Sequence, residues 1–240
     1  APGVDNEYRI AVKKIENGVI STLINDELKA GDVVDSMSPT GSFIVKPDSS
    51  RAMHYVLFAA GSGITPIISM LKTVAVNEPN SKVTLFYGNR SANETIYKAE
   101  LDALVEKYPN TVQVVYLYTR EETSDPLLHG RISGGKAKDL VNKFANDSMD
   151  KAFYMCGPED MIHHLTGSLE EMEFSRDNIH FELFTTPTMS VDDNAPVQVA
   201  DFSGTAKVTV IMDDEETYID LASDGINILD AAMDAGVDAP

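Results

Sequence analysis

A chain of 240 residues with 43% apolar and 24% charged side chains has room for two ordinary domains and the composition of a packed globular protein. A formal net charge of −19 repels polyanions, so nucleic acid is not an expected partner, and no run of 18 apolar residues is present to span a membrane. The single cysteine, Cys156, excludes an intrachain disulfide and any four-thiolate cluster; with no signal-peptide pattern at the start, the expected setting is a reducing cytoplasm.

Along the chain, residues 1–50 read as strands and turns. Tyr8–Val12 alternates apolar and polar residues, Val19–Leu28 fits a short helix, and Asn17-Gly18, Ala30-Gly31-Asp32 and Ser38–Gly41 are turn signals. This pattern predicts the closing part of a small β-barrel. Residues 51–187 then alternate strand and helix. The predicted strands are Tyr55–Ala60, Lys82–Tyr87, Val112–Tyr118, Ala152–Met155 and His180–Phe184. The predicted helices are Ile64–Val76, Glu94–Tyr108, Gly135–Phe144 and Pro158–Met172. Such alternation predicts an α/β domain, a parallel sheet covered on both faces. Residues 188–205, rich in Pro, Asp, Ser and Thr, read as a linker. Residues 206–240 resume with strands at Lys207–Met212 and Thr217–Leu221, then a helix over 227–235.

Two glycine-bearing turns stand out. Ala59-Ala60-Gly61-Ser62-Gly63-Ile64-Thr65-Pro66 joins a strand to a helix. Glycines there let the backbone approach a diphosphate, and the helix N-terminus favours negative charge. Its spacing is not G-x-G-x-x-G, and a tight turn without a ligand explains the glycines equally well. Met155-Cys156-Gly157-Pro158-Glu159-Asp160-Met161 again follows a strand and opens a helix. In a parallel sheet both turns fall on one edge. An isolated cysteine is more often a small buried apolar residue than a ligand contact. His163-His164 is no metal pair, because neighbours on a helix point about 100° apart.

Taken in order, AAGSGITP, YGNRS, GRIS, YMCGPEDMI and HFELFTTP are similar to the ferredoxin–NADP reductase superfamily. Within it, the chain resembles reductase components of multicomponent oxygenases, the phenylacetyl-CoA monooxygenase reductase type above all. Flavohaemoglobin-type reductases are the runner-up. The resemblance implies a partial FAD-binding β-barrel over 1–50 and an NAD(P)-binding α/β domain over 51–187. It also implies the start of a β-grasp, plant-type ferredoxin domain over 206–240. Its chemistry is hydride transfer from NAD(P)H to FAD, then electron transfer to a 2Fe–2S centre and an oxygenase component. By the same resemblance the chain lacks pieces at both ends: the Arg-x-Tyr-(Ser/Thr) flavin motif is absent, and the cluster cysteines belong to a full-length parent. A nucleotide-binding fragment without turnover is therefore the alternative.

The resemblance also assigns roles. Gly61, Ser62, Gly63 and Thr65, with Pro66 behind them, would cradle the nucleotide diphosphate. Cys156, Gly157 and Pro158, backed by Met161, would contact the nicotinamide. Glu182 and Phe184 match the acidic and aromatic positions near the flavin, and Gly41, Ser42 and Phe43 the segment that holds the FAD diphosphate. Asn89 and Ser91 fall where ribose is contacted. Arg90, Thr119 and Arg120 lie on the adenosine side, where an Arg fork suits a 2′-phosphate.

Overall fold

The computed structural model describes residues 4–12, 14–36, 40–183, 204–212, 215–222 and 226–236. The chain divides into two compact units, Ala1–Pro187 and Thr188–Pro240.

The first unit opens with helix α1 (Val19–Asp26). Its centre is a five-stranded sheet built from β1 (His54–Ala60), β2 (Lys82–Asn89), β3 (Val112–Tyr118), β4 (Lys151–Gly157) and β5 (Ile179–Leu183). All neighbours are parallel, in the order β3-β2-β1-β4-β5. Helices α2 (Ile64–Asn77) and α3 (Lys98–Lys107) cover one face, and α4 (Gly134–Phe144) and α5 (Glu159–Glu171) the other. The predicted doubly covered α/β domain is present.

Burial on both faces explains the unbroken apolar runs of the central strands. In β1, Tyr55, Leu57 and Ala59 enter the core under α2 and α3, while Val56 and Phe58 enter the core under α4 and α5. The chain runs outward from β1 to β2 and β3, then crosses back to β4 on the other side of β1. Strand order therefore reverses between β1 and β4. At such a switch point the crossover helices leave on opposite faces and open a crevice at the strands' C-terminal ends.

Most predicted elements hold to within a few residues, with two corrections. The helix expected from Glu94 begins only at Lys98. Ala92–Glu94 forms a 3-10 turn, closed by the Thr95 hydroxyl donating to the Ser91 carbonyl at 2.9 Å. Tyr97 then takes a left-handed conformation, φ 58°, which breaks any continuous helix. The second correction concerns residues 4–50, where the described residues hold α1 and no strand. Tyr8 and Ile10 are 92% and 81% exposed. Alternation alone does not make a strand; a neighbouring backbone must take up its N–H and C=O groups, and no described strand lies beside Tyr8–Val12.

The connector into β1 is fixed by a buried carboxylate. Glu78, at the C-terminus of α2, is fully buried. Its Oε1 accepts from the Asp48 amide at 3.1 Å and Arg51 Nη1 at 3.0 Å, and its Oε2 from Ser81 Oγ at 2.7 Å. The Tyr55 hydroxyl lies 3.0 Å from Oε2. Arg51 Nη1 also donates to the Lys46 carbonyl at 3.0 Å, so residues 46–51 are laced to the N-terminal edge of the sheet.

In the second unit, β6 (Thr205–Met212) pairs antiparallel with β7 (Glu215–Ala222), followed by helix α6 (Ile228–Asp234). Asn227 caps α6 by accepting the Asp230 amide at 2.9 Å, and Ala231 and Ala232 are buried. The predicted linker lies almost wholly outside the described residues, as do Asp213 and Asp214.

Candidate functional site

The two glycine-bearing turns meet at the switch point. β1 and β4 are paired with Ala59 opposite Cys156, so the residues after each strand emerge side by side. A Cβ added to Gly63 would stand 2.1 Å from the Cys156 carbonyl oxygen and 2.9 Å from the Gly157 nitrogen. No side chain fits there. Gly157 is less tightly confined: a Cβ on it would reach Met161 Cε at 2.6 Å, the mobile end of a side chain, and Ala60 Cβ at 3.2 Å. Met161 is buried beneath this turn, so it supports the backbone from below.

Gly61 is a glycine for another reason. Its φ is +54°, and a Cβ on it would meet nothing within 4 Å. The backbone here faces open space, as a cradle for a ligand requires. Ser62 and Gly63 continue the 3-10 turn into α2, and the Thr65 hydroxyl folds back to donate to the Ser62 carbonyl at 3.1 Å. Pro66 sits in the first turn of α2, where few intrahelical N–H bonds are lost.

The helix termini differ in charge. The first turn of α2 has no acidic residue, whereas that of α5 carries Glu159 and Asp160. An anion is therefore favoured at the N-terminus of α2 and repelled from that of α5. The α5 turn presents Gly157 and the exposed Pro158, an uncharged wall suited to a flat, weakly polar ring.

Cys156 is fully buried. Burial pushes its thiol up to about 12, and the charge of Glu182, its register partner on β5, acts in the same direction. The side chain is a neutral thiol at physiological pH and not an activated nucleophile. Glu182 itself is exposed.

The adenosine-side residues gather at the ends of β2 and β3. The Thr119 amide donates to the Asn89 carbonyl at 3.1 Å and the Arg120 amide to the Arg90 carbonyl at 2.9 Å, so both arginines leave adjacent strand ends. Both are exposed. Arg90 Nη1 stands 3.9 Å from Glu94, and the Arg120 guanidinium has no side-chain partner among the described residues. Ser91 is half-buried. The half-buried Asn89 amide sits beside the Tyr87 hydroxyl, but its nitrogen completes no hydrogen bond.

On the other flank, Gly41 has φ +123° with open space around it, and Gly41 and Ser42 are exposed. The Phe43 ring packs on Tyr154, centroids 5.8 Å apart, and so anchors the segment to β4. Phe184 lies outside the described residues. The structure thus brings the β1 and β4 turns into contact, sets the β2 and β3 ends beside them, and places Gly41–Phe43 along the β4 flank. Sequence reading passed over Tyr87, whose buried hydroxyl donates to the Gly61 carbonyl at 2.9 Å, and Glu121, which accepts the Ala92 amide at 2.8 Å. A tyrosine in an otherwise apolar buried strand was the available signal, since a buried phenol needs a polar partner.

Comparison with known proteins agrees with this geometry. The oxidoreductase NAD-binding domain family matches residues 57–166. The chain is 35% identical to one of the subunits of 1,2-phenylacetyl-CoA epoxidase from Escherichia coli (strain K12), over 98% of its own length and 65% of that protein. It is 30% identical to the ferredoxin reductase component of 3-ketosteroid-9-alpha-monooxygenase from Rhodococcus rhodochrous, over 100% of its own length and 65% of that protein. The chain therefore spans just under two thirds of these relatives. Among solved structures, the flavohem-like FAD/NAD binding domain of nitric oxide dioxygenase from Vibrio cholerae superposes with a TM-score of 0.56 at 28% identity, covering 70% of this chain and 65% of that one. Fold, paired turns and relatives together make the chain similar to oxidoreductases with this NAD-binding domain, among them a phenylacetyl-CoA epoxidase subunit and the ferredoxin reductase component of a ketosteroid monooxygenase.

Proposed function

We propose that the chain supplies the nucleotide-binding part of a cytoplasmic, NAD(P)H-dependent, FAD-containing reductase that passes electrons to a 2Fe–2S centre and then to an oxygenase. The observation that carries this reading is the contact of Gly63 with the Cys156–Gly157 peptide at the switch point. It joins an anion-accepting helix end to an uncharged wall, the two halves that a dinucleotide with a reactive ring requires. The acceptor side rests on the relatives, one belonging to an epoxidase and the other a monooxygenase reductase component. On this reading residues 1–50 belong to a flavin-binding domain and residues 206–240 open a ferredoxin-like domain.

The residues divide the work. Gly61, Ser62 and Gly63, at the head of α2, hold the diphosphate through backbone N–H groups. Asn89 and Ser91 take the ribose, and Arg90 and Arg120 take the adenosine end. Gly157 and Pro158 fix the plane of the nicotinamide. Thr65 lies at its approach, and the neutral Cys156 thiol fills the space beneath without adding charge. Gly41 and Ser42 offer open backbone that suits the flavin diphosphate, with Glu182 on the strand beside Cys156. When bound, FAD accepts the hydride and releases electrons singly.

The test is anaerobic addition of NADPH or NADH to the chain loaded with FAD. Loss of the visible flavin bands is expected. Nucleotide binding without bleaching would favour a binding module without turnover, and failure to bind nucleotide would overturn both readings. The Arg120→Glu substitution is expected to raise KM for NADPH about tenfold and KM for NADH less than about twofold, because only the former carries a 2′-phosphate for the guanidinium. An unchanged ratio in steady-state kinetics would remove Arg120 from that role.

A further inference from the structure

We propose that Tyr87 is a positioning residue for dinucleotide binding, its hydroxyl holding the Gly61 carbonyl inward so that the glycine turn is preset to receive a diphosphate. The inference rests on the nucleotide-binding reading above.

Tyr87 lies on β2 directly opposite Ala59 of β1, and its ring is fully buried. The hydroxyl stands 2.9 Å from the Gly61 oxygen and 3.4 Å from the Ile96 oxygen. With one proton to donate, it serves Gly61 first. Two constraints then flank Ser62. On one side, Gly63 is wedged against the Cys156–Gly157 peptide. On the other, the Gly61 carbonyl is tied to a buried phenol and to the Ile64 amide. A carbonyl left loose in this turn could swing toward the ligand and set its negative end against the diphosphate. Tied back, the carbonyl is held toward the buried phenol and away from the open space beside Gly61. The Ile96 carbonyl belongs to the segment before α3, so the hydroxyl lies between the β1 and β2 crossovers while donating to the first.

Calorimetric titration of the whole chain with NAD+ and NADP+ tests this. Tyr87→Phe should weaken both ligands about fivefold, the effect of one lost hydrogen bond, and equally, because both carry the same diphosphate. Gly61→Ala should also weaken binding, since an L side chain resists φ +54°. Its penalty should shrink in the Tyr87→Phe background, where the turn is free to relax. Unchanged binding by Tyr87→Phe, or penalties that simply multiply in the double variant, would overturn the proposal. A wild-type chain that binds neither ligand would overturn the nucleotide reading, and this one with it. Should Tyr87→Phe melt too low for titration, amide hydrogen exchange on the wild-type chain decides instead. The Ile64 amide, which donates to the Gly61 carbonyl, should be as protected without ligand as with NADP+. Protection that arrives only with nucleotide would overturn the proposal.

Discussion

Gly63→Ala is expected to lower affinity for NAD+ and NADP+ by about a hundredfold and to destabilise the first unit by about 2–3 kcal/mol. The reason is steric and local. Gly63 has φ −59°, so alanine meets no backbone strain of its own. Its new methyl would stand 2.1 Å from the Cys156 oxygen and 2.5 Å from the Cys156 carbonyl carbon, and neither is a side-chain end that can turn aside. Relief requires the β1 and β4 turns to separate by about 1 Å, enough to misplace a ligand held between them. Gly135→Ala is the matched control. Gly135 lies in the first turn of α4 with nothing within 4 Å of an added Cβ, so alanine should leave binding intact and stability equal or up to about 1 kcal/mol higher. Titration and urea unfolding of the two variants give the comparison. Wild-type affinity in Gly63→Ala would show that the contact between the turns does not build the site.

The same contact marks how far sequence reading reaches. Runs such as YVLFAA and KVTLFY announce buried parallel strands, because burial on two faces demands apolar residues at consecutive positions. The glycines at 61, 63 and 157 were legible as turn residues that follow strands. That Gly63 lies against the backbone of residue 156 was not, since it depends on the register of two strands almost a hundred residues apart. Local pattern also misled where tertiary structure decides. Glu94–Tyr108 has helical composition, but the Thr95 hydroxyl and the left-handed Tyr97 delay the helix to Lys98. Tyr8–Val12 has strand alternation without a neighbouring strand among the described residues. Glu78 was invisible as a polar anchor and Tyr87 signalled only that a buried phenol needs some partner, because the partners themselves, at positions 48, 51, 55 and 61, are seen only in space.

Glu78→Ala should cost about 3–4 kcal/mol, lower the melting temperature by about 10 °C, and leave nucleotide affinity unchanged below the transition. Glu78 is fully buried and receives Asp48 N, Arg51 Nη1, the Tyr55 hydroxyl and Ser81 Oγ within 3.1 Å. Removing its carboxylate takes the charged acceptor from a buried phenol, a serine hydroxyl and a guanidinium whose side chain is 33% exposed. Glu78→Gln keeps one acceptor oxygen and the volume but not the charge, so it should lose roughly half as much. Both variants strike the N-terminal edge of the sheet. The 14 residues of α2 separate that edge from Gly63 by about 20 Å, so a stability loss there need not move the turns. Calorimetry and titration on the same samples test the separation. If Glu78→Ala weakens NADP+ binding as much as Gly63→Ala does, the connector laced by Glu78 and the crevice at the far end of α2 behave as one mechanical unit, and the division between anchor and site does not hold.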